Sequence, residues 1–170
     1  MISQQISDLL NSQLNKELHS AYLYMDMADY FSDLGLDGFA SWFFVQTQEE
    51  RDHAMFFRTF MLEQDVEVKL EDIKAPAGGY KDTMDILQQT LKHEQFITDS
   101  INTIYATAAK ENNFLVMQFL NWFIKEQGEE EATATDLIRK YELFGGDAKS
   151  LYLLDQELAA RVYAAPTTTP

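Results

Sequence analysis

The sequence predicts an all-α protein: a four-helix bundle with one long crossover and a short fifth helix near the C-terminus. Three observations predict it. Four segments of roughly thirty residues carry apolar side chains every three or four positions, the period of one helix face. One non-helical stretch, residues 66–81, separates the second segment from the third. Acidic positions repeat at a fixed offset: adding 77 maps Glu17 to Glu94, Glu49 to Glu126, Glu50 to Gln127 and His53 to Glu130.

The first helix is expected over residues 4–33, where Ile6, Leu10, Leu14, Leu18, Ala21, Met25 and Ala28 form its apolar stripe. Glu17 and Tyr24 lie on or beside that stripe, and His19 lies off the Glu17 face, as a surface or packing residue. The second helix begins after Asp37-Gly38 and fades near Gln64-Asp65; its aromatics, Phe39, Trp42, Phe43, Phe57 and Phe60 among them, are core by spacing. Residues 66–81 alternate at first and then carry Pro76 and Gly78-Gly79, which no helix tolerates. Extended at about 3.3 Å per residue they reach roughly 50 Å, the length of a bundle helix, so the third helix can run parallel to the second.

The third helix spans about 82–111, with Glu94 interrupting an apolar stripe, and the fourth about 113–144, stopped by Gly145-Gly146. A fifth is expected from Asp147 to Tyr163, with Leu151, Leu154, Leu158 and Val162. Four helices close a core without it, so its apolar side meets another subunit or packs across one end. Residues 1–163 read as one domain and 164–170 as a flexible tail.

The offsets have a geometric meaning. Glu17 and Glu50 are 33 residues apart with Asp33-Leu34 between them beside Gly35, and Glu94 and Gln127 are 33 apart with their midpoint beside Asn112-Asn113. Each pair therefore faces its partner across a helical hairpin, roughly 25 Å from the bend. Glu50 and His53, like Gln127 and Glu130, are three apart and project from one side of a helix. Two hairpins packed face to face bring Glu17, Glu50, His53, Glu94, Gln127 and Glu130 to one point.

Composition narrows the partners. With 28 acidic and 13 basic residues the net charge is −15, which argues against nucleic acid or an anionic membrane and is compatible with cations, though solvated acidic faces alone would produce the same charge. The absence of cysteine excludes disulfides, iron–sulfur clusters and thiolate zinc sites. The first residues lack the form of a signal peptide and no apolar run approaches the roughly 20 residues of a membrane span, so a cytoplasmic location is expected.

Buried carboxylates without matching Lys or Arg lose hydration and repel one another; bound cations relieve both costs. Carboxylate oxygens with one imidazole suit Fe, Mn or Zn, and two cations bridged by a carboxylate would use about this many ligands. An isolated Glu-x-x-His would be ordinary helix surface; the full constellation is what argues for metal.

Glu17, the run Glu49-Glu50-Arg51-Asp52-His53, Glu94, the run Glu126-Gln127-Gly128-Glu129-Glu130, Tyr24 and Trp122 together resemble the bacterial non-haem ferritins, over essentially the whole chain. The resemblance implies a ferritin-like fold and a ferroxidase that oxidises Fe(II) with O2 and stores ferric oxide inside a homo-oligomeric shell of 24 subunits. It implies a first iron held by Glu17, Glu50 and His53, with Glu50 bridging to a second held by Glu94 and Glu130. Gln127 would be a neutral hydrogen-bonding partner, and Glu49, Glu126 and Glu129 would form a third iron site sharing Glu130. Tyr24 would stand beside the centre as an electron donor, or simply as a packed tyrosine, with Trp122 close by.

Departures from related families carry their own expectations. Bacterioferritins have a second Glu-x-x-His where this chain has Gln127 and Glu130, so the second iron is expected to be more loosely held. Their haem methionine follows the bridging glutamate, and Arg51 stands there, so no haem is expected. The acidic pore residues of animal heavy-chain ferritins align with Met117 and Leu120, which puts that entry route in doubt. Two other classes compete: a di-iron or di-manganese redox enzyme that stores no metal, and a helical bundle with a merely solvated acidic stripe.

Overall fold

The computed structural model describes residues 2–166. Ser3 opens α1 (Gln4–Asp33) by accepting the Ile6 amide on its Oγ at 3.2 Å. The chain reverses at Gly35, whose φ of +72° is the left-handed region glycine occupies without strain, and enters α2 (Asp37–Glu63). Asp82 caps α3 (Thr83–Lys110), accepting the Asp85 amide at 2.8 Å. Asn112, with φ +55°, makes the second reversal, and Asn113 caps α4 (Phe114–Phe144) through the Val116 amide at 3.3 Å. Asp147 caps α5 (Ala148–Leu158) with bonds from the Lys149 and Ser150 amides, both at 3.0 Å. Both hairpins turn where the paired spacings place their bends.

The crossover is held by two asparagines one helical turn apart. Asn11 donates to the Glu67 carbonyl at 2.9 Å and accepts the Lys69 amide at 2.6 Å; Asn15 does the same to Lys69 at 2.8 Å and Glu71 at 2.9 Å. The two side-chain amides thus stand in for a neighbouring strand and satisfy backbone groups that the extended crossover leaves open. Farther on, Tyr80 donates to Asp26 Oδ2 at 2.6 Å.

The apolar interior is divided in two. One cluster joins Leu10, Leu14, Phe57, Ile97, Ile101, Phe119 and Phe123; the other joins Met27, Phe31, Phe39, Phe43, Leu87 and Leu137. The layer between them is polar, and the paired carboxylates lie in it.

α5 packs across the end of the bundle, placing Leu154 and Leu158 in the second cluster. Its contact with α2 is close: a Cβ on Gly38 would lie 1.7 Å from the Asp155 carbonyl oxygen. The Asp155 side chain, buried there, accepts the Phe39 amide at 3.0 Å at the α2 N-terminus. The expected extent of α5 is corrected: it stops at Leu158, and Val162 is exposed instead of lying on an apolar face. Beyond Ala159 the chain is drawn away from the helix axis by bonds to α2, in which Arg161 lies over Trp42 and Tyr163 donates to Asp52 Oδ2 at 2.5 Å. The tail expected from residue 164 falls, from residue 167 onward, outside the described residues.

Candidate metal centre

Each helix of the bundle contributes to the polar layer: Glu17 from α1, Glu50 and His53 from α2, Glu94 from α3, Gln127 and Glu130 from α4. All six side chains are buried, Glu130 the most exposed at 8%. Glu17, Glu50 and His53 each present a ligand atom within 4.8 Å of the others, with His53 Nδ1 3.5 Å from Glu50 Oε2. Among the described residues this is the one group so gathered. Glu94 and Glu130 complete the layer with oxygens turned to neighbours: Glu94 accepts the Tyr24 hydroxyl on Oε1 and Gln127 Nε2 on Oε2 at 3.0 Å, and Glu130 accepts Gln46 Nε2 on Oε2 at 3.0 Å.

One oxygen tests whether the layer fits a cation. Glu17 Oε1 accepts Gln13 Nε2 at 2.8 Å, but Glu17 Oε2 is buried with no partner. Native interiors rarely leave such an atom unsatisfied. A hard cation between Glu17, Glu50 and His53 would satisfy it, and carboxylate oxygens with one imidazole nitrogen have the chemistry for that ion.

The electrostatics agree. Burial pushes Glu17 and Glu50 well above the usual glutamate range, reinforced at Glu17 by the Glu50 charge and at Glu50 by the charges of Glu94 and Glu130, while the hydrogen bond between Glu17 and Glu50 works to lower Glu50. Burial also raises Glu94, and burial with the Glu94 charge raises Glu130 to about 7. Folded-state values raised above the unfolded value of 4.5 mean that the folded chain holds protons more tightly than the unfolded one. That contribution to stability is fully present below pH 4.5 and is lost as pH rises through the folded values, including about 7 for Glu130. The metal-free chain is therefore expected to melt at progressively lower temperature from pH 5 to 8, and Glu130→Gln is expected to flatten the fall near pH 7. Thermal unfolding in chelator at fixed ionic strength measures it, and a flat or rising profile would refute the burial of ionisable carboxylates.

The other expected residues fall as follows. Tyr24 is fully buried, and burial with the Glu94 charge raises its phenol well above its ordinary value. The Trp122 ring lies 5.4 Å from that of His53. Glu49 pairs with Arg161, Glu126 is half-buried, and Glu129 faces solvent with Lys125 Nζ at 3.1 Å, so these three are not drawn into one group. Arg51 is exposed on α2 beside the layer. Leu120 is fully buried in the core and cannot line a pore: it lies seven residues, two helical turns, before Gln127 and shares its inward face. Met117 packs partly buried against the same cluster.

Three polar residues of the site went unread in the sequence: Gln13, Gln46 and Arg161. The glutamines had a signal. Each stands four positions before a layer glutamate, Gln13 before Glu17 and Gln46 before Glu50, and so repeats the 33-residue offset. Arg161 had none, because only the return of the chain beyond α5 brings it to α2.

A four-helix bundle with one crossover and a buried carboxylate–imidazole layer at mid-length defines the class of helical carboxylate metalloproteins. Comparison with known proteins narrows the class. The model of the ferritin-like domain matches residues 7–144, and the chain belongs to the ferritin family. It is 38% identical to a bacterial non-haem ferritin of Campylobacter jejuni over 156 residues, covering 92% of this chain and 93% of the relative. It is 33% identical to that of Staphylococcus haemolyticus over 163 residues, covering 96% and 98%. The fold matches crystal structures of an open pore ferritin from the hyperthermophilic archaeon Archaeoglobus fulgidus, at a TM-score of 0.93 and 39% identity, covering 95% of this chain and 99% of that one. No helix among the described residues is long and apolar enough to cross a membrane.

Proposed function

We propose that this chain is an iron-storage ferritin subunit with ferroxidase activity, cytoplasmic, without haem, assembling as a shell of 24 copies that holds ferric oxide. The observation that carries the proposal is the buried layer itself: four glutamates and one histidine, with Glu17 Oε2 unpartnered, at the middle of a ferritin bundle. Storage as the purpose is supported by the bacterial non-haem ferritins it resembles.

Fe(II) is the substrate. Glu17, Glu50 and His53 would take the first ion, and Glu50 would bridge it to a second held by Glu94 and Glu130. Each ion gives one electron to O2, and hard carboxylate ligands favour the ferric product. Gln127, by donating to Glu94, fixes that carboxylate without adding charge; this neutral partner and the lack of a second imidazole suit a site that releases its product. Tyr24, hydrogen-bonded to Glu94, would supply a further electron. Glu49, Glu126 and Glu129, with Glu130, would form a third site once Glu49 leaves Arg161 and Glu129 leaves Lys125.

Two measurements on the native protein test the reading. Aerobic Fe(II) is expected to oxidise faster than in buffer, and the particle is expected to size near 24 subunits with an electron-dense core after loading. A monomer or dimer that oxidised Fe(II) would indicate a redox enzyme that stores nothing, and no acceleration at all would refute the ferroxidase centre.

A further inference from the structure

Beyond α5 the chain leaves the helix axis and returns to α2 through Arg161 and Tyr163, and of the two it is Arg161 that reaches the polar layer. The Arg161 guanidinium lies over the Trp42 ring at 4.5 Å, donates from Nη1 to the Trp42 carbonyl at 3.5 Å, and donates from Nη2 to Gln46 Oε1 and Glu49 Oε2. Arginine only donates, whereas a glutamine amide donates on one side and accepts on the other. Arg161 therefore decides which way Gln46 faces: with Oε1 held by the guanidinium, Nε2 points to Glu130, meeting its Oε2 at 3.0 Å.

We propose that Arg161 is a positioning residue for the second iron, acting through Gln46 to hold Glu130 with one oxygen tied and the other left to face the ion. Without the guanidinium the amide can flip and present Oε1 to a carboxylate, which repels Glu130 from its place. A segment that the four helices do not need to close their core thereby sets the geometry of the looser half of the centre. The first ion, between Glu17, Glu50 and His53, is untouched by this relay.

The inference rests on the two-ion reading above, and calorimetric titration of Zn(II) into the metal-free full-length protein separates the two. Wild type is expected to bind a tight and a weaker ion per subunit. R161Q is expected to leave the tight ion unchanged and to weaken the second by on the order of tenfold, the scale on which groups that orient metal ligands act. Q46L should do the same, and the double variant should lose no more than either single one, because both changes break one relay. R161K, which keeps a charge and a donor without the fork, should recover part of the loss. Unchanged second-ion affinity in R161Q, or additive losses in the double variant, overturns the role of Arg161. A single ion in wild type overturns the two-ion reading and this proposal with it.

Discussion

Glu50→Ala is expected to reduce aerobic Fe(II) oxidation by on the order of 100-fold or more, to the rate in buffer, while leaving the helix content of the protein intact. No other position is asked to serve both ions. Glu50 lies within 4.8 Å of the Glu17 and His53 ligand atoms and is coupled by charge to Glu94 and Glu130 on the opposite hairpin. Removing it would leave each ion short of a ligand and the pair without a bridge, so that the two electrons O2 takes would no longer come from one place. Stopped-flow absorbance after mixing with ferrous salt, with circular dichroism as the control for folding, measures the effect. A variant that folds and oxidises iron at the wild-type rate would show that the chemistry happens elsewhere.

Glu50→Gln is expected to move stability the other way: without metal the variant should be more stable than wild type, by about 1–3 kcal/mol at pH 8. The amide has nearly the same shape, but it removes a charge that burial and the charges of Glu94, Glu130 and Glu49 oppose. In a chain of this size that corresponds to roughly 2–4 °C in melting temperature for each kcal/mol. Near pH 5 the difference should shrink, because wild type then takes up protons and relieves the same repulsion. Adding Zn(II) at 1,000 times its dissociation constant should stabilise wild type by about 4.1 kcal/mol and the variant by much less, reversing their order. The reversal separates a site shaped for cations from an acidic stripe that is merely solvated, for which neither the charge nor the ion would matter.

Much of this was legible in the sequence because helices convert spacing into position. The 33-residue spacing of Glu17 from Glu50 and of Glu94 from Gln127 fixed both bends, and Gly35 and Asn112 take the positive φ values those bends need. The length and the Pro and Gly content of residues 66–81 required a crossover. What holds the crossover was not legible, since Asn11 and Asn15 read as neutral positions in a helix until a chain lies beside them. The end of α5 was misread because Val162 continues the apolar spacing of Leu154 and Leu158, while the bonds of Arg161 and Tyr163 to α2 override it. The 77-residue repeat also has a limit: applied to Gln13 and Gln46 it lands on Thr90 and Phe123, so a glutamine four positions before the layer residue occurs in the first hairpin alone. The third group rests on the resemblance alone, and its pairings differ in legibility: Glu129 meets Lys125 four residues before it, as the helical period predicts, whereas the pairing of Glu49 with Arg161 follows from no period.

The claim on which the rest depends is that these carboxylates converge to hold iron. Anomalous diffraction at the iron edge, from a crystal soaked anaerobically in ferrous salt, tests it most directly. Two peaks are expected inside each protomer, one among Glu17, Glu50 and His53 and one among Glu50, Glu94 and Glu130. Iron found only at exposed acidic residues, with the buried layer empty, would contradict it.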